Sequence, residues 1–432
     1  MSPLSLGLVI AVVTLIVLFS GMPVAFALGL VSVGVLWLAK GWGAVDFLSE
    51  KLFNGLEDFT LVSIPMFVLM GAAVASSRAG ADLYEAFARW LNRVPGSLVV
   101  SNLGACALFA ALTGSSPATC AAIGKMGIPE MQKRGYRDDL ATGAIAAGGT
   151  LGILIPPSVI MVIYGILTET SIGRLFIAGI VPGVLGTFLL CVAVVWIATR
   201  DPQAGPPAEP RPWAERLRSL IHVWPAIALF ALVIGGIYLG WFTATEGAGI
   251  GAGGGFLFAL ARRALTWRAL FEVLIESART TSMLFMILIG ALMFAEFVNI
   301  TTMPGDLRAL VTGLDLPPVL VVGAICVIYV ILGTAMEELS MVLLTIPVFF
   351  PVVVSLGFDP IWFGVVIVCV VEIGLISPPV GMNMFVLKSL LPQVPTGTVF
   401  SGVMPFFWAD VLRLALLVAV PWLALWLPGL TR

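Results

Sequence analysis

The chain has 432 residues, of which 60% are hydrophobic and 11% charged, with a mean hydropathy of +1.09. So little charge excludes an ordinary soluble domain and predicts an all-α polytopic protein in a lipid bilayer. The net charge of -2 says nothing about nucleic acid, no basic tail is present and no nucleic-acid partner is expected; the single histidine, His222, excludes a histidine metal cluster.

The first apolar run begins at Pro3. It has no basic segment before it and no small-residue cleavage site, and it continues through Ser20-Gly21-Met22-Pro23 into a second run. A retained helix is expected, not a signal peptide. Apolar spans predict helices at 4–20, 23–40 and 59–77. In 81–94, Leu83, Phe87, Leu91 and Val94 recur at helical spacing, with Asp82, Glu85, Arg89 and Arg93 elsewhere on the surface. This is an amphipathic helix that either lies along the membrane interface or serves as a cytosolic connector.

Residues 97–131 hold two apolar arms around a small polar tip, Gly114-Ser115-Ser116. Each arm is shorter than the roughly 20 residues a spanning helix needs, so a re-entrant hairpin is expected. A helix over 139–168 is interrupted at Gly152 and at Pro156-Pro157, because proline removes a backbone donor and Pro-Pro cannot lie inside a regular helix. A span follows at 174–199. The Pro- and charge-rich stretch 200–220 marks a cytoplasmic linker, taken as residues 201–221.

Further spans are expected at 222–240, 244–262 and 276–297, then a connector with an interfacial turn at 304–314. A second hairpin covers 317–354 with its tip at Gly333–Glu338. A second broken helix covers 360–391, with Gly374 and Pro378-Pro379 at the break, and a last span covers 401–427. Trp37, Trp42, Trp90, Trp241 and Trp426 lie near span ends, as in an aromatic belt. Cys106, Cys120, Cys191, Cys326 and Cys369 lack pair spacing and read as small core residues.

The two halves align with each other. Glu57, Ser63 and Gly71 match Glu276, Ser282 and Gly290 at an offset of 219, and Gly114-Ser115 matches Gly333-Thr334 at the same offset. Gly152 and Pro156-Pro157 match Gly374 and Pro378-Pro379 at 222, and Gly179 and Pro182 match Gly402 and Pro405 at 223. With the linker placed in the cytoplasm, 16 Lys and Arg fall inside and 5 outside, with Arg413 left in the last span. The positive-inside rule supports that assignment and places both termini in the periplasm. Five crossings and one hairpin per half make the second repeat (222–432) inverted relative to the first (1–200). Inverted repeats with discontinuous helices are a transporter arrangement and point to the binding site.

Irregular backbone at membrane depth survives only where it is buried in protein or lines a cavity. The tip carbonyls, the Ser115 and Ser116 hydroxyls and the carbonyls at Gly152–Pro156 are hard oxygen donors suited to Na⁺. The second set is Gly333, Thr334 and Met336, with the break at Gly374–Pro378 and Ser377. Helix N-termini near Thr119 and Leu339 could face an anionic substrate. Glu337 and Glu338 either contribute to cation binding or proton transfer, or are solvated at an open tip. Glu246, Glu296, Glu372, Asp410 and Arg413 also fall within spans; Asp410 and Arg413, three apart, are expected to pair. No Walker loop is present, so neither ATP coupling nor enzyme chemistry is expected, and Gly251–Gly255 reads as helix packing.

GSSPAT, GYRDDLATGAIAAGGTLGILIPPS and YGILTETSIGRLFIAGIVPG, with GWFTATEGAG, ILGTAMEEL and GLISPPVGMNMFV in the second half, resemble the large membrane subunit of tripartite ATP-independent periplasmic (TRAP) transporters, the DctM-like permeases. The similarity covers essentially the whole chain. It implies an elevator-type secondary transporter of the bacterial inner membrane, in which Na⁺ drives uptake of an organic anion such as a C4-dicarboxylate or sialic acid. It also implies two partners, a small four-helix membrane subunit and a periplasmic substrate-binding protein. The start of the chain at its first span resembles the unfused form. The family's sodium sites carry over to Ser115, Ser116 and Gly152–Pro156, and to Gly333, Thr334, Met336 and Gly374–Pro378. Val371 stands where the family often has Asn, and Glu337 where Asp is common. A one-component carboxylate carrier, an ion exchanger and a gated channel are the alternatives.

Overall fold

The computed structural model describes residues 12–18, 20–206, 211–300, 303–313, 316–334 and 336–430. Most of the expected first span, residues 207–210 of the linker and Ala335 in the second tip lie outside them. Among the described residues there are helices and turns and no strand. The first half comprises α1 (12–18), α2 (Val24–Lys40), α3 (Trp42–Leu56), α4 (Ser63–Ala75), α5 (Ala79–Trp90), α6 (Ser97–Thr113), α7 (Ser116–Lys133), α8 (Asp138–Thr150), α9 (Val159–Leu167) and α10 (Ile172–Arg200). The second comprises α11 (Trp213–Tyr238), α12 (Ala244–Ala261), α13 (Trp267–Ile300), α14 (Met303–Gly313), α15 (Pro318–Gly333), α16 (Glu338–Ser355), α17 (Pro360–Ile376), α18 (Met382–Leu390), α19 (Thr396–Ala419) and α20 (Trp422–Gly429).

The order of elements runs twice. α6 and α7 form one hairpin and α15 and α16 the other. α8 and α9 are the two pieces of one broken helix, α17 and α18 of the other. The long α13 stands where the first half has α3, a 3-10 turn at Phe59–Val62, and α4. Packing crosses between the halves: α2 lies on α13, α12 on α4, α8 on α19, and α10 on α17. α8 and α17 meet at the centre.

Several expected boundaries move. α3 was not foreseen, because Asp46, Glu50, Lys51 and Asn54 lower the hydropathy of this stretch. It is nevertheless amphipathic, with Leu48 buried, and packs on α2 and α13. The linker is shorter than expected, since α11 starts at Trp213. Arg216 in its first turns is buried, with Nη2 donating to Asn92 Oδ1 at 3.1 Å, and Trp90 Nε1 donates to the Arg216 carbonyl at 3.1 Å. Those contacts make this charged stretch part of the packed protein. α13 begins at Trp267, nine residues before the expected 276. The last expected span is two helices, because Pro421 has no amide to continue the ladder after Ala419.

By length and composition five described helices are candidate membrane crossings: α10, α11, α13 and α19, and, at the lower limit, α16. The other expected crossings are shorter, interrupted or less apolar. α16 has 18 residues, about 27 Å at 1.5 Å per residue, just short of a hydrocarbon core of about 30 Å. The amphipathic helix is α5. It buries Leu83, Tyr84 and Ala86 against the protein, packs on α6 and α11, and pairs Asp82 with Arg262 at the end of α12.

Candidate functional site

Each hairpin tip meets a helix break of its own half. α6 ends at Gly114, whose φ of 62° lies in the left-handed region that favours glycine. Ser115 is extended, and α7 begins at Ser116 with Pro117 behind it. The facing break spans residues 154–158, between a 3-10 turn at Leu151–Ile153 and α9. A Cβ on Gly152 would sit 2.9 Å from the Ser115 carbonyl, and one on Gly114 would sit 2.7 Å from the Pro157 oxygen. Only glycine permits this approach of backbone to backbone. Ser158 restarts the helix as the N-cap of α9, its side chain accepting from the Met161 amide at 3.3 Å.

The second half repeats the contact. A Cβ on Gly333 would lie 2.8 Å from the Gly374 Cα, and one on Gly374 would lie 2.8 Å from the Gly333 Cα. The Gly381 amide donates to the Thr334 carbonyl at 3.4 Å, which ties the tip to the far side of the break. The Pro156-Pro157 and Pro378-Pro379 bonds are both cis. Among the described hydrogen bonds, none ends on the carbonyls of Leu154, Ile155, Pro156 or Pro157. In the second break the Gly374 carbonyl accepts from the Ser377 amide at 3.1 Å.

The expected hydroxyl ligands separate into two kinds. Among the described residues the half-buried Ser115 hydroxyl makes no hydrogen bond. Ser116 is fully buried; its hydroxyl donates to the Gly149 carbonyl at 3.1 Å and accepts from Asn383 Nδ2 at 3.1 Å. Asn383 Nδ2 also donates to the Ala146 carbonyl at 3.0 Å, so this residue at the start of α18 bridges the two halves. Thr119 Oγ1 and Thr113 Oγ1 are 2.9 Å apart, and the Thr119 amide already donates to the Ser115 carbonyl. The helix N-terminus therefore starts at Ser116, not Thr119; in the second half it starts at Glu338, just before Leu339. Thr334 Oγ1 donates back to Ile331 O at 2.8 Å and Ser377 Oγ to Ile373 O at 2.6 Å, while Met336 is buried at the tip.

A cavity of about 350 Å³ lies between the tips and the helices α4 and α13. Thr113, Gly114, Ser115 and Pro117 line it from the first tip, and Glu337, Glu338 and Leu339 from the second. Glu337 accepts from Ser340 Oγ at 3.0 Å, whereas the buried Glu338 has one oxygen without a partner. α13 adds Glu276, Ser277 and Thr280, and α4 adds Gly71 and Ala72. Sequence reasoning used Glu276 only to align the repeats. Its place in an apolar-flanked helix already marked it as a charge needing a partner or a cavity.

Two other expectations change. Glu246 is not a mid-span acid: it is exposed and forms a capping box with Thr243 at the start of α12. Asp410 and Arg413 pair as expected, at 3.0 Å, but Arg413 also pairs with Glu372 on α17, which supplies the partner that sequence could not name. All three side chains are fully buried. Among the described residues no cluster of His, Cys, Asp and Glu is suited to a metal, and the five cysteines are free.

Residues 11–423 match the family model of the tripartite ATP-independent periplasmic transporter, DctM component. The chain is 37% identical to the C4-dicarboxylate TRAP transporter large permease protein DctM of Pseudomonas aeruginosa, over 89% of this chain and 90% of that one. It is 33% identical to the sialic acid TRAP transporter large permease protein SiaM of Vibrio cholerae, over 96% of each. It is 31% identical to the ectoine TRAP transporter large permease protein TeaC of Halomonas elongata, over 98% of this chain and 99% of that one. Among solved structures, the YdaH transporter of Alcanivorax borkumensis shares the fold, with a TM-score of 0.61 over 95% of this chain and 98% of that one at 15% identity. This chain is a multi-pass membrane protein and not an enzyme; it belongs to the DctM family, as the large permease subunit of a TRAP transporter.

Proposed function

We propose that this subunit carries a small organic solute across the bacterial inner membrane by Na⁺-coupled secondary transport. One observation carries the proposal: in both halves a glycine-lined tip touches the break of a discontinuous helix, at Ser115 against Gly152 and at Gly333 against Gly374. The first contact lies beside the Leu154–Pro157 carbonyls, which accept no described hydrogen bond, and such carbonyls suit a small hard cation; at the second, the Gly374 and Thr334 carbonyls already accept backbone amides and would bind one with their remaining lone pairs. Ser115, Gly152 and the Pro156 break form the first Na⁺ site. Gly333, Thr334, Met336 and Gly374 form the second. Ser116 supports the first site by holding the Gly149 carbonyl and Asn383 with its hydroxyl rather than by ligating the ion.

The doubled order of elements and the exchanged packing of α2 on α13 and α12 on α4 support inverted repeats. The cavity between the tips and the helices α4 and α13 supports an elevator movement, in which the tip-and-break unit slides against that wall. A small four-helix membrane subunit and a periplasmic binding protein complete the system, the latter delivering the solute. The relatives' names span C4-dicarboxylates, sialic acid and ectoine, so membership of the family does not choose among solutes.

In proteoliposomes containing both membrane subunits and the binding protein, uptake is expected to stop when external Na⁺ is replaced by K⁺. Undiminished uptake driven by a proton gradient alone would sink the sodium assignment. The same reading places residues 200–206 in the cytoplasm and both termini in the periplasm. A cysteine introduced by Gln203→Cys is expected to resist a membrane-impermeant thiol reagent in intact cells. Ready labelling from outside would invert the topology.

A further inference from the structure

A smaller polar cavity, of about 240 Å³, lies away from the tips, where Arg78 and the first turns of α5 meet α11 and the end of α12. Arg78, Arg89, His222 and Arg262 line it, against two acids, Asp82 and Glu85. Both acids are taken: Asp82 pairs with Arg262 and Glu85 with Arg89. Arg78 and His222, both exposed, make no ion pair among the described residues. Neither do Arg218 and Arg263, the chain neighbours of Ser219 and Arg262. The cavity keeps positive charge with no acid of its lining left to answer it, which suits an anion.

The depth of the cavity selects the kind of anion. α11 and α12 pack together and are joined by residues 239–243. From that shared end α11, with 26 residues, reaches about 39 Å, and α12, with 18, about 27 Å. Arg262 at the end of α12 therefore stands level with Ser219 and His222, at the edge of a hydrocarbon core of about 30 Å. The turns of α11 before Ser219 overhang that edge. There Trp213 packs edge-on against Trp90 of α5, and such tryptophans sit at headgroup level. Beside the cavity, Ile221 and Trp224 on α11 and Leu257 and Leu260 on α12 are each more than half exposed. They offer an apolar surface that a free phosphate ion does not need and an acyl chain does. Lys and Arg favour the cytoplasmic side of membrane proteins in general. Here three of them converge on one cavity at the depth of a phosphate.

We infer that this cavity holds the headgroup of an anionic phospholipid, its phosphate facing Arg78, His222 and Arg262 and its acyl chains lying along α11 and α12. Guanidinium groups bond phosphate oxygens strongly, and basic cavities between spanning helices suit such headgroups. The lipid ties the start of α5 to α11 and α12. α5 joins α4 to the hairpin helix α6. In the transport reading above, the lipid therefore steadies the link between the wall and the sliding unit. The inference rests on that reading for this consequence and for the leaflet, which is the cytoplasmic one.

The full-length chain in detergent is titrated with phosphatidylglycerol and, separately, with phosphatidylethanolamine of the same acyl chains. Native mass spectrometry counts the lipids bound. The first phosphatidylglycerol is expected to bind at least about fivefold more tightly, the effect of one cation near an anionic headgroup. Arg78→Gln/His222→Gln removes two exposed, unpaired side chains and should bring the two lipids to parity. Lys125→Gln/Arg174→Gln, which removes two exposed charges elsewhere, should keep the preference. So should an excess of inorganic phosphate at equal ionic strength. If the double variant does not fold, Arg78→Glu alone carries the test. Equal binding of the two lipids by the parent, a preference unchanged in the double variant, an equal loss in the control, or displacement by inorganic phosphate overturns the inference. The titration needs no Na⁺, gradient or partner, and an inverted topology would move the site to the other leaflet without altering it. A failed sodium dependence of uptake and a failed lipid preference are therefore separate results.

Discussion

Replacing Arg413 with Ala is expected to remove most of the folded protein from a detergent extract. The Arg413 side chain has no exposed surface, and among the described residues it is the only cation paired with Glu372 and Asp410, which are equally buried. Gly186 on α10 makes room for the guanidinium: a Cβ there would clash with it. Removing the cation strands two carboxylates in the protein interior. Breaking a buried pair in this way typically costs roughly 3–5 kcal/mol, a large share of a protein's stability. The loss would be read as monodisperse yield and as a melting temperature. An apolar replacement of the whole triad, Glu372→Leu/Asp410→Leu/Arg413→Met, should recover much of the melting temperature, because the stranded charges leave together. An Arg413→Ala protein that melts like the parent would show that the triad does not hold α17 to α19.

The second large effect is on transport. Pro156→Ala/Pro157→Ala restores two backbone donors and raises helix propensity by up to roughly 3 kcal/mol per proline. The break would close into the ladder and its carbonyls would turn to amides instead of to the tip. Folded protein should persist, uptake should fall sharply, and the half-saturating Na⁺ concentration should rise by about tenfold, the equivalent of about 1.4 kcal/mol. Ser115→Ala should move the same constant less, since it removes one unbonded hydroxyl. Ser116→Ala should instead lower the melting temperature, because it leaves Asn383 Nδ2 and the Gly149 carbonyl short of a buried partner. A well-folded double-Ala variant with unchanged sodium dependence would reduce the break to a packing kink.

The parts of the fold set by backbone chemistry could be read in the sequence. Gly114, Gly152, Gly333, Gly374 and the two Pro-Pro pairs act locally, and each marks its own turn or break. Their doubled spacing revealed the repeat. The unforeseen parts depend on distant neighbours. α3 and the early turns of α11 and α13 carry charges, so hydropathy alone treats them as connectors; burial of Leu48 and Arg216 decides otherwise. Glu372 lies 41 residues before its partner Arg413, and Asn383 lies 267 residues after Ser116. Nothing local announces such pairs. The cavity was also illegible, because it is a space between both tips and the helices α4, α9, α13 and α18 and belongs to none of them.

The Asn383 bridge has no twin. At the offsets of the repeat, Ser116 corresponds to Ala335 and Asn383 to Met161, and neither Ala nor Met has a side chain able to donate such a bond. Ser116 on the first tip and Asn383 past the second break both belong to the tip-and-break unit, so a hydrogen bond worth about 0.5–1.5 kcal/mol fastens the two halves of that unit to each other whichever side of the membrane it faces.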